Sequence, residues 1–208
     1  MLGVPSLWPH DCPLLLLNYF SAAMDDWDPK VTNGLAAQRE VIVFDNVGVA
    51  SSTGETPSTV AAMAEDCVDF CSALNLKKID VLGFSLGGMI VQQLAFQYPD
   101  LIGRMILIGT GPRGGEGMSF TELSAEEQKD PLVLLMNAFF TPSGPSQAAG
   151  RAYVERLQLR KAGRDADVSQ KTAAAQLKRN PGMGCRPIGR PLRDAAPYSS
   201  AYARRARN

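Results

Sequence analysis

The sequence predicts an α/β fold, a mostly parallel sheet flanked by helices with a helical cap inserted, and three observations carry that prediction. Four short apolar runs bounded by turn residues read as buried strands. Helical patterns lie between the second and third runs and between the third and fourth. Strand, helix and strand in alternation require right-handed crossovers, which place helices against the sheet faces. With 208 residues the chain is long enough to bury a core without disulfides.

The first run, Pro13 to Asn18, contains four consecutive leucines; the others are Val41 to Asp45, Ile79 to Phe84 and Arg104 to Ile108. Such continuous runs suit strands covered on both faces. Thr56-Pro57-Ser58 opens the first helix, with Pro57 in a first-turn position and Val60, Ala64, Cys67, Cys71 and Leu74 on one stripe. The second helix runs from about Gly88 to Tyr98 and is closed by Pro99.

After Ile108 the alternation stops, and no further strand is expected. Ser124-Ala125-Glu126-Glu127 has the form of a capping box, Leu132 to Phe140 is strongly apolar, and helical patterns follow at about Ser146 to Lys161 and Val168 to Lys178. These segments read as a helical cap, whose apolar run either lines a pocket from above or packs the cap onto the sheet. The expected organisation is an amino-terminal segment (1–12), a core (13–118), the cap (119–178) and a disordered Arg-, Pro- and Gly-rich tail (179–208).

Apolar residues at 45% and charged residues at 20% exclude a wholly disordered chain, and 21 basic against 21 acidic side chains exclude a uniformly basic nucleic-acid binder. That balance conceals an asymmetry. Residues 179 to 208 hold seven Arg, no Lys and one acid, Asp194, which leaves a net −6 on residues 1 to 178. The tail arginines read as solvated. Cys12, Cys67, Cys71 and Cys185 form no CxxC pair and accompany no histidine cluster, so no metal site is expected and the thiols read as buried and free. No Lys or Arg precedes Lys30, so Leu14 to Leu17 lack the basic flank of a secretory leader, and the run is too short to cross a bilayer. A cytoplasmic protein with no membrane partner and no specific nucleic-acid partner is expected.

The most informative segment is Gly83-Phe84-Ser85-Leu86-Gly87-Gly88, a Gly-x-Ser-x-Gly pattern between a predicted strand and a predicted helix. A serine on such a bend is held in a strained conformation that projects its hydroxyl, and Gly83 and Gly87 leave the space that side chains would fill. The helix beginning there offers free N–H groups and dipole character where an oxyanion would form. Ser85 is the candidate nucleophile.

With this elbow, Phe44-Asp45-Asn46-Val47-Gly48-Val49-Ala50-Ser51 is similar to an Asp-x-Arg-Gly-x-Gly-x-Ser loop, and Asn18-Tyr19-Phe20 ends the first strand. On these residues the chain resembles the α/β-hydrolase superfamily, in particular its esterase-like and cofactor-free haloperoxidase-like branch, from about Pro13 to Lys178. The resemblance implies a Ser85 nucleophile, a His base, an acidic partner, and an oxyanion hole formed by the N–H groups of Leu86 and Phe20. It also implies hydrolysis of an ester-like small-molecule substrate without metal or organic cofactor. The departures are Val47 for Arg and Ala50 for Gly in the loop, and Tyr19 in place of a glycine.

The largest departure concerns the base. The one histidine, His10, lies 75 residues before Ser85, whereas the family order places the acid and then the His after the nucleophile. Without a base a serine hydroxyl is largely unactivated. Recruiting His10 would need the amino-terminal segment to cross the carboxyl ends of the strands; its other reading is a loop residue between Pro9 and Pro13. Lys77 and Lys78 precede the strand leading to Ser85 and so sit at its opposite end. The expectation is therefore an incomplete α/β-hydrolase fold whose carboxyl-terminal part has been replaced from about Arg179, as by a shifted reading frame, with hydrolysis lost or strongly impaired. A sheet ending at the Arg104 to Ile108 strand would expose an edge, so marginal stability or self-association is expected.

Two other readings compete. Gly109-Thr110-Gly111-Pro112-Arg113-Gly114 matches a dinucleotide-binding Gly-x-Gly-x-x-Gly, but Pro112 and Gly114-Gly115-Glu116-Gly117 do not open a helix and no strand with a ribose-binding acid follows. A non-catalytic binding role on a hydrolase scaffold is the second. Asp45 reads as an organiser of the turn that follows it in preference to a catalytic group, and Asp25, Asp26 and Asp28 around Trp27 read as solvated loop acids in preference to a loop near the pocket mouth.

Overall fold

A computed structural model describes residues 12–112, 130–177 and 204–206. Strand β1 (Leu14–Leu17) lies between β2 (Val41–Val43) and β3 (Ile79–Phe84), and β3 pairs outward with β4 (Ile102–Ile108). All three pairings are parallel, with Leu16 opposite Val43 on one side and Leu82 on the other. The four leucines of β1 explain the continuous run: Leu15 and Leu17 join the core cluster on one face of the sheet, while Leu14 and Leu16 join the cluster on the other.

Helix α1 (Pro29–Ala36) was not foreseen, because the segment is only eight residues long, includes Gly34 and buries Ala36 alone. Its start is nonetheless well specified, with Pro29 in the first turn and the Asp28 carboxylate accepting from Lys30 N–H at 2.8 Å. Helix α2 (Val60–Ala73) begins later than Thr56-Pro57-Ser58 suggested. Thr59 is the cap residue, its hydroxyl accepting from Ala62 N–H at 3.2 Å, so Pro57 lies in the preceding loop. Met63, Ala64, Cys67, Phe70 and Cys71 form its buried stripe, and Phe70 stacks on Phe44 at 4.3 Å. Both thiols are free and buried. Helix α3 (Leu86–Gln97) starts two residues before the expected Gly88, directly on Ser85.

The cap comprises α4 (Pro131–Phe139), α5 (Gly144–Leu157) and α6 (Gln170–Leu177). Asp130 caps α4 by accepting from Leu132 N–H at 2.8 Å. The expectation of no strand after Ile108 fails at β5 (Arg204–Ala206), which pairs antiparallel with β2 and completes the order β4-β3-β1-β2-β5. A three-residue strand with two arginines carries no apolar pattern, and its pairing uses backbone groups of a sheet edge. The rest of the anticipated disordered tail 179–208, His10, Cys185, Gly114 and the Ser124 to Glu127 pattern lie outside the described residues. Among the described residues no helix is long and apolar enough to cross a membrane.

Candidate active site

Ser85 lies at the junction of β3 and α3 with φ 52° and ψ −113°, a left-handed conformation that a residue with a side chain adopts only under constraint. The constraint comes from neighbouring backbone. Ser85 N–H donates to Ile108 O at 2.9 Å, and Ser85 O accepts from Gly88 N–H at 3.0 Å and from the Thr110 hydroxyl at 2.7 Å. Gln92 Nε2 donates to Gly111 O at 2.8 Å and ties the same loop to α3. The first two glycines of the dinucleotide-like pattern thus belong to the support of the elbow.

Both elbow glycines stand where a side chain cannot. A Cβ on Gly83 would come within 2.5 Å of Gly87 O, and one on Gly87 would collide with Leu17 O at the end of β1. Gly88 has the same role against the Thr110 side chain at 2.6 Å, a constraint the sequence alone did not reveal. Ser85 is half-buried, and its hydroxyl forms no cap bond to α3. Leu86 is the first residue of α3, where a helix has no internal acceptor for an N–H.

Phe20 occupies the turn after β1, the strand end that meets Gly87. Asn18 shapes this turn, its Oδ1 accepting from Tyr19 N–H at 2.9 Å and its Nδ2 donating to Ala23 O. Ser21, with φ 55°, donates its N–H to Gln176 Oε1 of α6 at 2.8 Å, so the cap also grips the turn. Tyr19, Phe84 and Phe139 bring their rings together here, at 5.2 Å for Tyr19 with Phe84 and 5.6 Å for Phe84 with Phe139. Within the run Leu132 to Phe140, Phe139 meets the Phe84 and Tyr19 rings and so joins the cap to the core, while Phe140 packs on Tyr153 within the cap at 6.0 Å.

The loop after β2 is closed despite Val47 and Ala50. Ser52 Oγ donates to Asp45 O at 2.8 Å, Gly48 N–H to Thr53 O at 3.2 Å, and Ala50 takes φ 46° where a glycine would be unstrained. Asp45 organises its surroundings, Oδ1 accepting from Met24 N–H at 2.7 Å, but Oδ2 is buried without a hydrogen-bond partner among the described residues. Burial, and then Asp165, push its carboxyl up to about 7.

The reading of Asp25, Asp26 and Asp28 as solvated is corrected: Asp25 and Asp28 are buried and paired with the cap, and Asp26 is half-buried, its Oδ2 accepting from Ala23 N–H at 2.7 Å. Arg156 holds both oxygens of Asp28, with Nη2 2.7 Å from Oδ2, and its hydrogen bonds lower the Asp28 carboxyl first among the causes. Arg160 holds both oxygens of Asp25 at 2.9 Å. Asp25 and Asp165 also exchange bonds, each carboxylate accepting from the other's backbone N–H at 2.9 and 3.2 Å. Arg156, Arg160 and Asp165 carried no local sequence signal, since each partner lies more than 100 residues away. Among the described residues no group of three or more His, Cys, Asp or Glu side chains could hold a metal.

The alpha/beta hydrolase fold family matches residues 13–181, a stretch that takes in the elbow, the first-strand turn and the cap. The chain is a member of that family. It is 34% identical over 84 residues to the putative carbamate hydrolase RutD of Rhizobium rhizogenes strain K84, covering 39% of this chain and 32% of the relative. It is 32% identical over 116 residues to an uncharacterized protein of Mycobacterium tuberculosis, Rv2715, covering 48% and 32%. This hydrolase-fold chain thus spans about a third of the length of the curated relatives it matches. Among solved structures, an alpha/beta hydrolase fold protein from Chitinophaga pinensis is 41% identical with a TM-score of 0.76, covering 83% of this chain and 63% of that one. Est816, described as an N-acyl homoserine lactone degrading enzyme, is 27% identical with a TM-score of 0.50, covering 69% and 58%.

Proposed function

We propose that this chain carries the nucleophile portion of a serine hydrolase for ester-like small-molecule substrates, and that hydrolysis by it is absent or strongly impaired. Ser85 Oγ would attack the substrate carbonyl carbon, its proton passing to a base, while the new oxyanion accepts from the N–H groups of Leu86 and Phe20. The carbonyl reforms as the leaving oxygen departs with a proton, and water then releases the acyl group. This chemistry draws on a hydroxyl and backbone donors and asks for no metal or organic cofactor. The observation that carries the reading is the backbone of Ser85, held at φ 52° between β3 and α3 by glycines that admit no Cβ. Hydrolysis at a carbonyl also agrees with the names of the RutD relatives and of Est816.

The impairment is proposed for these 208 residues by themselves, whose one histidine, residue 10, lies ahead of the nucleophile. The same fact favours a second reading, a non-catalytic binding protein on the hydrolase scaffold. The family match ends at residue 181, beside the change of composition at Arg179, which supports a tail foreign to the family. The free thiols Cys12, Cys67 and Cys71 suit a cytoplasmic location.

Labelling with a fluorophosphonate, followed by intact mass, tests both readings. Slow modification of Ser85, at least about a hundredfold below that of a histidine-activated serine and abolished in Ser85→Ala, is expected. Rapid modification would refute the impairment. No modification at any probe excess would leave the binding reading in place of the enzymatic one.

A further inference from the structure

We propose that Phe139 of α4 is the specificity-determining contact of the Ser85 site, forming with Tyr19 and Phe84 an aromatic cradle for an uncharged, ring-bearing ester or related carbonyl compound. The inference rests on Ser85 being the reactive group of this site.

The three rings come from three separate elements: the turn after β1, the last residue of β3 and the last residue of α4. Their centroids lie 5.2, 5.6 and 6.2 Å apart in edge or tilted arrangements, the separations at which aromatic groups attract one another. Phe84 directly precedes Ser85 and Tyr19 directly precedes Phe20, so two of the three rings are neighbours in the chain of the residues assigned to the site. It is not a closed core. Phe139 remains 46% exposed, and none of the described side chains of the apolar helix α4 is buried. Apolar surface left open beside the elbow is available to an apolar group on a ligand.

Charge narrows the class. Burial, then the nearby Asp26, raise the Tyr19 phenol well above its usual range, and burial also raises Asp26 itself. Asp26 in turn acts on Asp45, together with Asp165 and Asp25. Arg156 and Arg160 are engaged by Asp28 and Asp25. The Asp26 carboxyl acting on Tyr19 disfavours an anionic substrate at this ring.

The experiment titrates the full chain with butyrophenone, a neutral and unreactive ketone of ester shape, and with benzoate, its anionic counterpart, using ligand-observed NMR. Butyrophenone is expected to bind at least about tenfold more tightly than benzoate. Phe139→Ala should weaken ketone binding about five- to tenfold and Phe139→Leu, which keeps apolar bulk without the ring, about threefold. Leu159→Ala, at a 67% exposed residue outside the ring cluster, should leave it unchanged. Ketone affinity unaltered in both Phe139 variants, benzoate binding as tightly as the ketone, or no ketone binding to the folded chain would each overturn the proposal. Phosphonate labelling reports on the nucleophile separately: labelling without Phe139-dependent ketone binding rejects the cradle alone, and the converse rejects the nucleophile alone.

Discussion

Asp45 shows how one residue couples the fold to pH. One of its oxygens has a backbone donor, while the other is buried without a hydrogen-bond partner among the described residues, so burial favours the neutral form. The folded carboxyl is pushed up to about 7 from an ordinary 3.8, which means the native state binds this proton more tightly than the unfolded chain does. Its contribution to stability is full below about pH 4 and is lost as pH rises through about 7, at most about 4 kcal/mol. Asp26 and Asp165 are raised too, first by burial, and act in the same direction. Asp45→Asn keeps an oxygen for Met24 N–H and cannot ionise, so its melting temperature should fall less than that of the parent chain between pH 5 and 8. Parallel melting curves across that range would show that Asp45 is not the titrating group.

At the scale of elements, the cap is fastened to the core by charge as much as by apolar packing. α5 and the residues after it supply Arg156 and Arg160 to the buried carboxylates ahead of α1, and α6 supplies Gln176 to the turn carrying Phe20. Arg160→Gln should remove the Arg160 guanidinium from both oxygens of the buried Asp25, at a cost of about 1–3 kcal/mol. Hydrogen exchange should then speed up in α5 and residues 158–169, while β3 and α3 keep their protection; unchanged exchange in the cap would show that the pair does not hold it. These contacts mark where the sequence stops being legible. β1 to β4 were readable because each is apolar at nearly every position, and Ser85 because the elbow pattern and its flanking periods are local. The pairing of residues 25–28 with 156–165, the meeting of Tyr19 with Phe139, and Gly88 against Thr110 depend on segments far apart in sequence. β5 was illegible for another reason: backbone pairing leaves no side-chain period.

At the scale of the whole molecule, the two sides of the sheet differ. β2 is paired outward by β5, whereas β4 is the outer strand on the other side and has no outward partner among the described residues. Met105, Leu107 and Ile108 of β4 are 44%, 41% and 45% exposed, and Leu132 of α4 adds another uncovered apolar side chain. Natural edges usually avoid strand addition with charge, proline or a bulge; β4 has Arg104 and an irregular pairing with β3 near its start, which leaves Met105 to Ile108 as the exposed apolar part of the edge. The chain should therefore associate as its concentration rises, which sedimentation equilibrium from about 1 to 100 μM would detect as a growing average mass. Leu107→Lys places a charge on the edge without touching Ser85 and should weaken association by about tenfold or more. The two sources of association then separate: a loss in Leu107→Lys assigns it to the strand edge, whereas association unchanged by the lysine assigns it to another surface. A parent chain that stays monomeric throughout and unfolds in one sharp transition would show the edge to be covered.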